Sequence, residues 1–139
     1  MFFASMGRFT DAGLLLIRLV IGGMFLYYGT PMLFGGHEKW IQVGGAMAVF
    51  HVRFWPAFWG FMAGFVEFFG GICLILGLFF RPVCLLLTFV MLVAVFMHLS
   101  KGEGLFGAGH AIEDGVVFLG LFFIGPGRYG LDVMLNPFL

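Results

Sequence analysis

Five ionisable side chains stand where the sequence is otherwise apolar: Arg18, Glu67, His98, Glu113 and Asp114. Arg18 interrupts Leu14-Leu15-Leu16-Ile17-Arg18-Leu19-Val20-Ile21, and Glu67 interrupts Phe65-Val66-Glu67-Phe68-Phe69. A charge inside such a run is costly unless it is paired or hydrated, so it turns inward, towards a partner or a water-filled cavity. The chemistry open to these residues is limited. A guanidinium and a carboxylate can pair, and imidazole with carboxylate can relay protons or ligate zinc or iron. His110, Glu113 and Asp114 follow one another at i, i+3 and i+4 and so share a helical face; the competing reading of the trio is interfacial histidine with acidic groups near a helix N-terminus. No His-Glu-x-x-His and no second Glu-x-x-His pair accompanies them, so no metal is assigned. Cys73 and Cys84 form no Cys-x-x-Cys and read as small apolar residues. No haem, flavin or iron–sulfur signature is visible.

The elements that must hold these groups follow from composition. The chain has 139 residues, 62% hydrophobic and only 10% charged, with a mean hydropathy of +1.10. A small globule keeps much of its surface wet, and seven Lys+Arg with seven Asp+Glu cannot cover it. A soluble enzyme, a disordered chain and a nucleic-acid binder are excluded. Most of this protein is solvated by lipid.

A helix crossing about 30 Å of hydrocarbon needs about 20 apolar residues. Four such stretches are present, at about 11–34, 56–80, 82–99 and 105–124. Strand alternation is absent, which removes a β-barrel. The predicted fold is all-α: a single polytopic four-helix transmembrane bundle over 1–139, both termini on one side. The opening run exceeds the length of a signal peptide and lacks a cleavage pattern, so it reads as an uncleaved first helix. Helices two and three are joined tightly at Phe80-Arg81-Pro82 and helices three and four by 100–104. The first link, 35–55, is long. Its apolar centre, 40–50, is too short to span and is expected to lie in the interface or dip into it as a lid. Water-facing cations number three on each side, Arg8, Arg81 and Arg128 against Lys39, Arg53 and Lys101; Arg18 tips the count towards cytoplasmic termini.

Glu67 shares a surface with Gly60, Gly64, Gly70, Gly71 and Gly77, and Arg18 shares one with Gly22 and Gly29. Small residues let helix backbones approach closely. These faces are expected to pack together, setting Arg18 against Glu67, either as a register pin or as a functional pair.

The residues now resemble a known family. Arg18-Leu19-Val20-x-Gly22 leads to Tyr28-Gly29, followed by Glu67-x-x-Gly70-Gly71, Leu76-Gly77-Leu78-x-x-Arg81 and Met91-x-x-Ala94 with His98. Glu113 opens the last span, and the chain then runs through Gly125-Pro126-Gly127-Arg128-Tyr129-Gly130-Leu131-Asp132. In order and spacing this is similar to the bacterial DoxX family, along nearly the whole chain. It departs from the family at Thr30-Pro31-Met32, where a lysine element is usual, and in its longer first link. The resemblance implies a multi-pass protein of the bacterial inner (cytoplasmic) membrane linked to redox physiology, since members include or accompany a thiosulfate:quinone oxidoreductase subunit. Three functions follow as expectations. The first is a redox-associated subunit with a quinone or an oxidoreductase partner, enzymatic only within such a complex. The second is a non-catalytic assembly or stabilising subunit of a larger membrane complex, and the third a small proton or solute carrier. The expected partner is a membrane or peripheral redox protein, or further copies of the chain in a homo-oligomer.

Every histidine and every tryptophan falls on the side away from the termini, with the long link and the acidic start of helix four. The functional surface is expected there. Glu67, His98 and Glu113 would form its polar lining, Arg18 the deeper counter-charge, and His110 and Asp114 would be secondary. Phe and Met would hold an isoprenoid or acyl tail.

Overall fold

The computed structural model describes residues 3–135, which contain no strand. A 3-10 segment, Phe3–Phe9, leads into α1 (Thr10–Phe34). Then come α2 (His37–Gly44), a second 3-10 segment (Gly45–Phe50), α3 (Pro56–Leu76), α4 (Phe80–Ser100), α5 (Gly104–Ile124) and the short α6 (Leu131–Leu135). Four helical stretches, Phe3–Phe34, Pro56–Leu76, Phe80–Ser100 and Gly104–Ile124, are long and apolar enough to cross a membrane. Large apolar side chains such as Leu16, Val20, Val116 and Phe123 point outward from them. That surface suits hydrocarbon.

The α3–α4 boundary differs from expectation for a local reason. α3 stops at Leu76, not Phe80, because Gly77 adopts φ 68°. Its N–H returns to Leu74 O and that of Leu78 to Cys73 O, closing the helix end. α4 then begins at Phe80, with Pro82 in its first turn, where no backbone donor is required. Phe79 before it sits at φ 47°. It is fixed there from far along the chain: the N–H groups of Phe79 and Phe80 each donate to the Asp132 carboxylate at 2.8 Å. Asp132→Ala should cost about 1–2 kcal/mol, the worth of a lost N-cap. A thermal melt in detergent that does not move would dismiss this capping role.

α1 lies along α3 through its glycines, as their spacing suggested. A Cβ on Gly22 would stand 2.7 Å from Gly71 O, and one on Gly71 2.6 Å from Gly22 O. A Cβ on Gly29 would stand 2.5 Å from Phe68 N. α4 packs on α5 and α3 on α4. The Phe25 and Phe118 rings meet edge to face at 4.9 Å, bringing α5 back against α1. Leu74, Phe80, Cys84, Leu87 and Phe118 are wholly buried between them.

Arg18 is also buried, at 1% exposure, but it does not meet Glu67. Its Nε donates to Leu74 O (3.0 Å), Nη2 to Ile75 O (2.8 Å) and Nη1 to Pro126 O (3.3 Å). The expected pair is therefore corrected. Carbonyls at a helix end lack intrahelical donors, and a guanidinium with five N–H groups serves them as well as a carboxylate. The Gly-Pro-Gly-Arg segment after α5 is part of the same clamp. Arg81 Nε donates to Phe122 O, Arg128 N to Asp11 Oδ1, and Asp132 N to Gly77 O. The terminal side is an organised knot of hydrogen bonds.

The long link is a folded arm. α2 lies on α3, and the 3-10 segment reaches both α3 and α4. Gly44 and Gly60 permit backbone contact, Gly60 facing Trp40 O and Gly44 facing Pro56 O. Trp40 Nε1 donates to Leu33 O at 3.1 Å, tying the arm to the end of α1.

Candidate functional site: two cavities divided by Glu67

α3 and α4 share a tight turn at one end, and the arm occupies the space between them at the other. The three border a half-open cavity of about 490 Å³. α4 contributes Leu86, Phe89, Val90, Val93, Ala94 and Met97, with Lys101 just beyond its end. These recur every three or four residues along one face, and at the helical rise the stripe is about 22 Å long. The arm adds Val43, Ala46 and Met47, and α3 adds Trp59, Met62, Ala63 and Val66. The polar side chains in this lining are Lys39 and Gln42 of the arm, Lys101 after α4, and Glu67. Neither lysine has an ion-pair partner among the described residues. An elongated, mainly apolar space with a few polar groups is the usual form of a site for a small lipophile.

A second, more open cavity of about 350 Å³ lies on the other side of Glu67, against α1, α4 and α5. It is more polar, with Tyr28, His98, His110 and Asp114 among its walls. His98 Nδ1 bonds to the Glu103 carboxylate. His110 Nδ1 lies 3.1 Å from Asp114 Oδ2, one turn away on α5. That oxygen is buried and makes no well-directed hydrogen bond among the described residues. The Tyr28 ring stands edge-on to His110 at 5.9 Å.

Glu67 lines both spaces. It sits on the buried stripe Gly64, Glu67, Gly71 and Leu74 of α3, whose glycines face α1. It is 6% exposed and has no hydrogen bond or ion pair among the described residues. Its carboxylate oxygens open onto the cavities and are not sealed in the core, so solvent or a ligand can bond to them.

The six residues singled out from the sequence thus divide. Glu67, His98, His110 and Asp114 gather around one cavity. Arg18 is held near the α3 end, and Glu113 is exposed and lines neither space. The choice of Glu113 over Asp114 is reversed by the rotation of α5. Its buried positions Ala108, Ala111, Phe118 and Leu121 put Asp114 on the inner stripe and Glu113 about 100° round from it. The place of the two lysines at the cavity rim, and the pairing of Glu103 with His98, carry no sequence signal of their own. Among the described residues no three His, Cys, Asp or Glu side chains converge on a common metal position.

Four membrane-length helices around buried ionisable groups and an interhelical cavity define a polytopic helical membrane protein. The chain belongs to the DoxX family, whose model matches residues 13–99, a stretch holding Arg18, both glycine faces, Glu67 and His98. It is similar along nearly its whole length to inner membrane protein YqjF of Escherichia coli (strain K12), with 28% identity over 138 residues, 94% of this chain and 98% of that one. No solved structure matches it.

Proposed function

We propose that this protein is an inner-membrane subunit of a redox assembly and contributes a site for a quinone-like lipophile between α3, α4 and the arm. The observation that carries this reading is the 490 Å³ apolar cavity with a buried, unpartnered carboxyl in its wall. The stripe along α4 suits an isoprenoid chain, and Glu67 is a hydrogen-bonding point for a ring carbonyl. Lys39, Gln42 and Lys101 supply further donors to a head group entering past them. The inner-membrane location is supported by the four spans and by the name of the similar Escherichia coli protein.

A short-chain benzoquinone analogue titrated into the protein in lipid nanodiscs tests the site. Wild type should bind saturably. Ala63→Phe, which fills the cavity, should abolish binding, and Glu67→Ala should weaken it by about tenfold, equivalent to one hydrogen bond of about 1.4 kcal/mol. Glu113→Gln, on the outer face, should bind like wild type. No saturable binding to folded wild type, or equal binding to all four proteins, sinks the reading.

A further inference from the structure

Glu67 and Ala94 line both cavities, and of the two only Glu67 can carry a proton. On one side of it is a space suited to a lipophile. On the other are His98 of α4, and His110 and Asp114 of α5, with Tyr28 of α1 above them. His110 is well exposed, with 66% of its side chain open, so this chain of groups reaches the surface. The other charges near Glu67 are Lys39 and Lys101 at the far rim of the apolar cavity. Arg18 is occupied by three carbonyls and does not face it. A carboxyl that reaches both spaces can accept a hydrogen bond from one side and, when it carries a proton, donate one to the other.

We propose that Glu67 is a two-sided proton-exchange group, which takes its proton through the His98–His110–Asp114 cavity and presents it as a hydrogen bond to a carbonyl-bearing lipophile in the apolar cavity. The second half of this assignment rests on the reading of the apolar cavity as a ligand site; the first half does not. Only a proton moves. It passes from water to imidazole or carboxylate at the α4–α5 surface and on to a Glu67 oxygen, and an equivalent proton returns by the same route. Glu67 is then the point at which occupancy of the lipophile site is felt by groups that titrate in water.

The test is the exchange of the Glu67 carboxyl proton for deuterium, followed by infrared spectroscopy on the reconstituted protein. The carboxylic-acid carbonyl band is assigned by its loss in Glu67→Gln. It should shift promptly when wild type is moved to D2O. Ala111→Leu, which fills the histidine cavity, should slow the shift by at least about tenfold, the factor set by an added barrier of about 1.4 kcal/mol, while quinone-analogue binding stays intact. Ala63→Phe should abolish that binding and leave exchange at the wild-type rate. If Ala111→Leu does not fold, the double variant His110→Ala/Asp114→Asn replaces it, with the same slowing expected. The proposed route is overturned by unchanged exchange in the filled or double variant, by slowing in Ala63→Phe alone, or by the absence of any Glu67-dependent acid band. Failure of wild type to bind the quinone analogue, with the exchange pattern as expected, would overturn the ligand site and leave the proton route standing.

Discussion

Arg18→Ala is expected to lower the stability of the folded bundle by about 4 kcal/mol, and Arg18→Lys to recover only part of the loss. Hydrogen bonds to a charged group contribute about 1.5–3 kcal/mol each, less than additively when they share one donor. Arg18 makes three, to Leu74 O, Ile75 O and Pro126 O. Two of these carbonyls close the end of α3, and the third belongs to the segment that carries Asp132 to the start of α4. Alanine would leave Ile75 O and Pro126 O without a donor, leave Leu74 O with only the Gly77 N–H, and open a hole the size of a guanidinium. Lysine keeps the charge but lacks the planar fork that spans separate acceptors. Reversible unfolding in mixed micelles measures the difference. A double-mutant cycle with Glu67→Ala separates this account from an Arg18–Glu67 pair: carbonyl clamping predicts additivity within about 0.5 kcal/mol, whereas an ion pair predicts a large coupling. Strong coupling, or a loss for Arg18→Ala below 1 kcal/mol, would refute the clamp.

Gly60→Val should lift the arm from α3 and empty the apolar cavity of function while leaving the α1–α3 and α4–α5 pairs in place. A Cβ at Gly60 points into the Trp40 carbonyl, with the Trp40 Cα only 2.7 Å away. The reciprocal Cβ at Gly44 would meet Gly60 N at 2.7 Å. Both obstacles are backbone, so no rotamer change relieves them. Relief requires moving α2, against an overpacking cost of about 3 kcal/mol. Val43, Ala46, Met47, Lys39 and Gln42 leave the cavity wall with it. Quinone-analogue binding should fall below detection, and a protease should cut within 37–55 at concentrations that spare wild type. An unchanged digestion pattern with unchanged binding would show that the arm does not form the cavity. Gly23, around which a Cβ would meet nothing within 4 Å, is the matched control: Gly23→Ala should behave as wild type.

Four crossings follow from length and hydropathy because lipid offers no partner for a backbone amide, so each span must close its own hydrogen bonds. The mating of α1 with α3 is likewise legible, since the steps Gly22–Gly29 and Gly64–Gly71 mark the faces where backbones can touch. The inward set of Arg18 and Glu67 follows from the cost of charge in hydrocarbon. Their partners do not. A guanidinium is satisfied by a carboxylate or by helix-end carbonyls alike, and the carbonyls came within reach only because Gly77 stops α3 early and the chain returns at Pro126, 108 residues after Arg18. Glu113 and Asp114 differ by one residue, hence by about 100° of rotation. Contacts distant in sequence settle which one is inside: Gly115 against Met91, and Phe118 against Phe25. The cavity was hidden for a further reason. Its walls are ordinary Val, Met, Phe and Ala, residues that in sequence would equally face lipid or core, and only the wedge of the arm between α3 and α4 keeps them apart. Sequence determines what must be buried; the tertiary structure decides what it is buried against.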